Sequence, residues 1–139
     1  MHWSPGPHAG FTTPDAVPWL PVDSSYRNIN VEVQDDDPRS HLSLVRRLLG
    51  LRREHPALHF GLQQIVDVGR EELLAILREH DGDRVLVVLN FGSSAFAVDF
   101  VHVSEKAGVL CSTLMDRQGE VDMGSLELRS NEGLLLTLN

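Results

Sequence analysis

Eight residues, RVLVVLNF at positions 84–91, leave this chain little choice of architecture. Alternate positions of a strand point to opposite faces, and here both sets are apolar. Such a strand must be covered on both sides and lie inside a sheet. The preceding HDGDR (His80–Arg84) carries the Asp-Gly pair of a tight hairpin turn, and LLAILREH before it supplies the partner strand. LQQIVDV, AFAVDF, VLCSTL, LELR and GLLLTLN read as further short strands, with FGSS and RQGE as turns between them. No helical pattern alternates with these strands, so the region from residue 61 predicts an antiparallel all-β sandwich.

Upstream the periodicity changes. DDDPRSHLSLVRRLLGLRREHPAL (35–58) predicts one α-helix, with Asp37 as N-cap and Pro38 at the first helical position. Leu42, Val45 and Leu49, with Leu44, Leu48 and Leu51 alongside, form a wide apolar stripe, and Pro56 stops the helix. Arg46, Arg47, Arg52 and Arg53 fall largely off that stripe and read as a solvated face. Residues 1–38 hold six of the seven prolines and show no sustained period; polar and apolar residues alternate only over Asn28–Gln34. Yet this segment carries Trp3, Phe11 and Trp19, which normally bury large apolar areas and therefore want partners.

Several functions are excluded by composition. The net charge of −8 argues against a phosphate-backbone binder, so no nucleic-acid partner is expected. No apolar run approaches the about 18 residues of a membrane span, so this segment inserts into no membrane. The single cysteine, Cys111, has no internal partner and sits in the apolar run GVLCSTL as a small buried hydrophobe. A lone cysteine requires no oxidising compartment and favours the cytoplasm.

The chemistry-bearing residues do not converge on a motif. His55 and His59 have the four-residue spacing of helical metal ligands, but Pro56 interrupts the helix that would align them, and no metal or cofactor site is expected. No phosphate-binding loop or nucleophile elbow is present. Asp35–Asp37, Glu71–Glu72 and Asp81/Asp83 are carboxylate pairs in caps and turns, where solvent keeps a carboxyl ordinary and a glycosidase acid needs a raised pKa. No catalytic residue is assigned.

The order of features MHW…AGFT…PWLPV…Y…INVEVQ…DP.S.L…R.L..LR.EHPAL, followed by RVLVVLNFG, LMDRQGEVD and LELRSNEGLLL, resembles the C-terminal third of α-glucosidases of glycoside hydrolase family 13. That group includes oligo-1,6-glucosidases, maltases and trehalose synthases. The resemblance covers nearly the whole chain. His2 and His8 stand where the family usually has Gln and Asn.

The resemblance implies a mixed fold. Residues 1–60 would be the last loop and helix of an otherwise absent (β/α)8 barrel, and residues 61–139 an all-β C-terminal domain of an α-amylase-type enzyme. Barrel enzymes build their active sites from such loops. Trp3 and Phe11 would then lie near substrate without supplying catalytic groups, because the family's catalytic carboxylates come from earlier barrel strands. The expected partners are the remainder of the barrel and, through the parent enzyme alone, an oligosaccharide. The intact parent would act on α-glucosidic bonds by a retaining mechanism, the 139-residue piece being inactive by itself. Two other readings remain open: a catalytically dead ectodomain piece of an amino-acid transporter heavy subunit, and a stand-alone β-sandwich binding module. An isolated chain would associate as a homodimer through its exposed loop and helix stripe.

Overall fold

The computed structural model describes residues 1–138. Their contacts divide into two compact units, one ending at Arg46 and one beginning at Arg47.

The first unit is mostly loop. Short 3-10 turns at Pro7–Gly10 and Ser24–Arg27 precede a five-residue helix, α1 (Val31–Asp35). The alternation over Asn28–Gln34 is therefore not extended. Asn30 caps α1 by accepting the Val33 N–H at 2.9 Å, while its amide donates to the Tyr26 carbonyl at 2.8 Å. A short polar side chain that satisfies an orphan helical N–H stabilises a first turn that propensity alone would not hold.

The long helix α2 spans His41–Glu54. Its N-cap is Ser40, whose Oγ accepts the Ser43 N–H at 3.1 Å, and not Asp37 as the sequence predicts. Asp37 instead accepts the Arg39 N–H at 2.9 Å and holds a turn through Pro38. Both residues are competent caps, and Ser40 wins because its Oγ also donates to the Gln34 carbonyl at 2.7 Å, tying the entry of α2 to the end of α1. Pro56 ends α2 and opens a second short helix, α3 (Pro56–Phe60), where its missing N–H is not needed. Arg46, Arg47, Arg52 and Arg53 are exposed.

The second unit is built on eight strands: β1 (Leu62–Val66), β2 (Leu73–His80), β3 (Asp83–Asn90), β4 (Phe96–Val98), β5 (Lys106–Ser112), β6 (Glu120–Asp122), β7 (Leu126–Leu128) and β8 (Gly133–Leu138). Six form one antiparallel sheet in the order β1-β2-β3-β8-β5-β6, and β4 pairs with β7 in a small ribbon. The last strand thus inserts between β3 and β5. The β2–β3 turn has positive φ at Asp81 (47°) and Gly82 (86°), as the Asp-Gly pair requires. As predicted, β3 is internal, with β2 on one side and β8 on the other. The short β6 escaped sequence reading because EVD has too few apolar residues to show a period.

The main apolar cluster lies on one face of the large sheet, while Val85 of β3 is fully buried on the other. Leu77, Leu86, Leu136 and Val109 align across β2, β3, β8 and β5, and Ala75, Val88 and Leu134 form a parallel row. Val98, Leu126 and Leu128 from the ribbon, with Phe100 and Met123, complete the same apolar cluster. Helix α3 lies against β2 and β3. Cys111 is buried at a bulge in β5, and burial pushes its thiol pKa up. Among the described residues no helix is long and apolar enough to cross a membrane.

Candidate functional site

The amino-terminal loop is shaped by three successive residues with positive φ, His8 (52°), Ala9 (54°) and Gly10 (74°). Two of them are not glycine, so the turn costs energy that surrounding bonds must offset. The Ala9 carbonyl accepts the N–H groups of Trp3 (2.9 Å) and Ser4 (3.3 Å), and the fully buried Ala9 is clamped there. The His8 ring nitrogen Nε2 lies 3.1 Å from the Pro14 carbonyl. A Cβ on Gly10 would come within 3.1 Å of both Ser4 Oγ and Trp3 Cβ, so a side chain there would be crowded as well as strained by the positive φ. At the other end of the loop, the His2 and Trp3 carbonyls accept the Val31 and Glu32 N–H groups at 2.9 and 3.1 Å. The start of the chain is thereby bonded to the first turn of α1.

This scaffold frames an open cleft of about 790 Å³ between His2, His8, Phe11, Trp19 and Asp23. Most of its wall is apolar, from Ala16 through Val22. Phe11, 54 % exposed, lines the cleft; Trp3, 56 % exposed, does not. The two aromatic residues singled out from sequence are therefore on one loop but not in one cavity. Trp19, 90 % exposed, joins Phe11 there instead. The rings of Phe11 and Tyr26 each meet the His2 imidazole edge-on, with centroids 6.1 Å away. The Asp23 carboxyl is held below its usual range, first by hydrogen bonding to Ser25, so it is an acceptor and not an acid.

His55 and His59 point to different tasks. His55 Nδ1 lies 3.1 Å from Asp83 Oδ1, and Asp83 Oδ2 accepts the Ala57 N–H at 2.9 Å, which ties the start of α3 to the β2–β3 hairpin. Partial burial raises the Asp83 pKa, but the bonds from Ala57 and His55 outweigh it and the net shift is downward. His59 instead meets the Phe60 ring at a centroid distance of 4.0 Å. Among the described residues no group of three metal-ligating side chains converges.

Sequence reading missed one titratable centre. Glu132, only 1 % exposed, accepts from Ser112 Oγ (3.0 Å), Arg129 Nη2 (2.5 Å) and the Arg129 N–H (2.9 Å), with Arg117 Nε at 3.3 Å. Arg129 also forms a two-pronged pair with Asp116, both bonds 2.7 Å. Burial raises the Glu132 pKa, yet the Arg129 bonds dominate and hold it below the usual carboxylate range. A fully bonded carboxylate that stays charged near neutral pH braces loops and cannot donate a proton there. The signal for it was the SNEG turn before β8, where Asn131 has φ 53°.

Residues 1–61 match the alpha-amylase catalytic-domain family. The oligo-1,6-glucosidase of Halalkalibacterium halodurans is 37 % identical over 91 residues, covering 66 % of this chain and 16 % of that protein. The trehalose synthase of Thermus thermophilus is 39 % identical over 105 residues, 71 % of this chain and 11 % of that protein. In three dimensions the trehalulose synthase of Pseudomonas mesoacidophila superposes with a TM-score of 0.85 at 28 % identity. The isomaltulose synthase of Klebsiella sp. LX3 does so with 0.86 at 25 %. Each structural match covers 99 % of this chain and 24 % of the other. The chain thus spans a quarter or less of these relatives. By motif order, by family model and by fold, it resembles the C-terminal portion of the α-glucosidases of glycoside hydrolase family 13, the α-amylase family.

Proposed function

We propose that this chain is the C-terminal part of a larger α-glucosidase-like enzyme that cleaves or transfers α-glucosidic bonds with retention of configuration. Residues 1–60 are the final loop and helix of its (β/α)8 barrel, and residues 61–139 are its β-domain. The catalytic carboxylates belong to the rest of that barrel, and the 139-residue piece alone is inactive. The observation that carries this reading is the near-complete match of the chain to about a quarter of each solved relative. The open apolar cleft supports it, since Phe11, Val17, Trp19 and Leu20 are all more than half exposed. A loop with that much uncovered apolar surface calls for a covering surface. The remainder of the barrel is that partner, and oligosaccharide reaches the loop only through the assembled enzyme.

Within that enzyme Phe11 lies at the rim of the sugar pocket, and Trp3, on the same loop but outside the cleft, holds the loop in place. Separated from it, the chain self-associates through the Val17–Leu20 segment and the exposed Val45 and Leu49 of α2.

The test is to detect the polypeptide in its natural source with an antibody to β8, then assay it on α-1,4- and α-1,6-linked glucosides. A species several times longer than 139 residues that hydrolyses them supports the reading. Phe11→Ala in that species is expected to raise KM several-fold with little loss of thermal stability. A long species inert on every α-glucoside overturns the enzymatic half, and a 139-residue species overturns the whole.

A further inference from the structure

The two ends of the six-stranded sheet are protected very differently. At one end β6 is three residues long and carries Glu120 and Asp122, with Glu120 held 2.7 Å from Lys106. Short, charged edges discourage pairing with another chain. At the other end β1 is five residues long, Leu-Gln-Gln-Ile-Val, with no charge, no proline and no bulge. Its outer edge pairs with no other described strand. Leu62 is 84 % exposed and Ile65 62 %, unlike the alternating burial of β2 beside them.

We infer that β1 is a self-pairing edge, by which two copies of this chain join their sheets antiparallel about a two-fold axis at Gln64. A two-fold contact brings the same patch of each copy together, so any net charge in the patch repels itself. In a chain of net charge −8, the uncharged strip at residues 62–66 meets that condition. Register follows from the axis. Leu62 of one copy lies beside Val66 of the second, and Gln63 beside Ile65; each pair faces one side of the sheet, as cross-strand neighbours must. The exposed Leu62 is then laid against the strand that already buries Val66 in the core.

Charge at the strand ends fits the same register. Asp67, exposed, comes opposite Gly61 of the second copy. The Gly61 carbonyl is where the Arg78 guanidinium is anchored, through Nη2 at 3.0 Å, and the buried Arg78 Nε has no hydrogen-bond partner. The axis therefore brings the Asp67 carboxylate, whose Oδ1 already accepts the Gly69 N–H at 2.9 Å, to the side of the strand that carries the Arg78 guanidinium, twice per dimer. Backbone pairing along an open edge supplies affinity, and side chains at alternate positions supply specificity.

Sedimentation velocity on the intact protein tests this, with thermal melting alongside. Gln64→Lys sets two like charges on the axis, and Asp67→Lys faces Arg78 with a second cation. Both positions are exposed, so each variant keeps the fold and weakens dimerisation by roughly tenfold or more, and melting temperature falls only by what the lost contact, and for Asp67 its bond from the Gly69 N–H, had added. A wild-type protein that remains monomeric at about 100 μM overturns the inference. So does a dimer indifferent to both variants. A Gln64→Lys variant that melts lower with its mass unchanged also overturns it, because another part of the same polypeptide would then cover β1.

Discussion

The two units reach order by opposite means. In the unit from Arg47 onward, apolar rows on β2, β3, β8 and β5 share one cluster with the β4–β7 ribbon. The unit up to Arg46 has one buried apolar residue among those described, Ala9, and its other buried side chains, Asn30 and Ser40, are polar. Burial of a leucine contributes about 1.5–3 kcal/mol, whereas a hydrogen bond nets about 1. The β unit therefore carries its own driving force. The loop unit is shaped by caps and carbonyl bridges while its large apolar side chains stay outside.

The sharpest way to break that comparison is in the β core. Leu136→Ala is expected to cost about 3 kcal/mol, because fully buried Leu136 sits in the row joining four strands and leaves a cavity. Urea denaturation followed by far-ultraviolet circular dichroism measures it, because both tryptophans and the tyrosine lie in the loop unit, and a loss below about 1 kcal/mol would mean the core is loosely filled.

Glu132→Gln comes next, at about 2 kcal/mol by the same measurement. Removing one partner of a fully buried pair usually costs about 3–5 kcal/mol, but Arg129 reaches solvent and keeps Asp116. Its pH dependence has a definite sign. The folded-state pKa of Glu132 is lowered, so its stabilisation is fully present above the unfolded value of about 4.3 and fades as pH falls through the lower folded value. The wild type should lose stability more steeply below about pH 4 than Glu132→Gln does.

Asn30→Ala gives the smallest effect, about 1 kcal/mol, and a local one. It removes the cap of α1 and the bond to the Tyr26 carbonyl. Hydrogen exchange should quicken at Val33 and nearby amides while the amides of β3 and β8 keep their protection. Equal loss in both regions would show that the units unfold together.

Legibility in the sequence followed the kind of interaction. β2 and β3 could be read because alternate burial and an Asp-Gly turn are local signals, and all five residues of VLVVL (85–89) are apolar. The N-cap of α2 could not, because Asp37 and Ser40 are both good caps and the choice depends on the distant Gln34 carbonyl. The site was half legible. Phe11 lines the cleft and Trp3 does not, a distinction made by the left-handed turn at His8–Gly10 that no period announces. Glu132 was missed despite its SNEG turn, because a glutamate in such a turn normally faces water.

The sequence by itself determined the antiparallel β class, the internal place of β3, the long helix and the resemblance to family 13, since each rests on neighbours a few residues apart or on motif order. Only the tertiary structure decided that β8 inserts between β3 and β5, that Glu132 is buried against Ser112, Arg117 and Arg129, and that β1 is left as an open edge. Those outcomes join residues far apart in the chain, and their energies exist only once the strands between them have already packed.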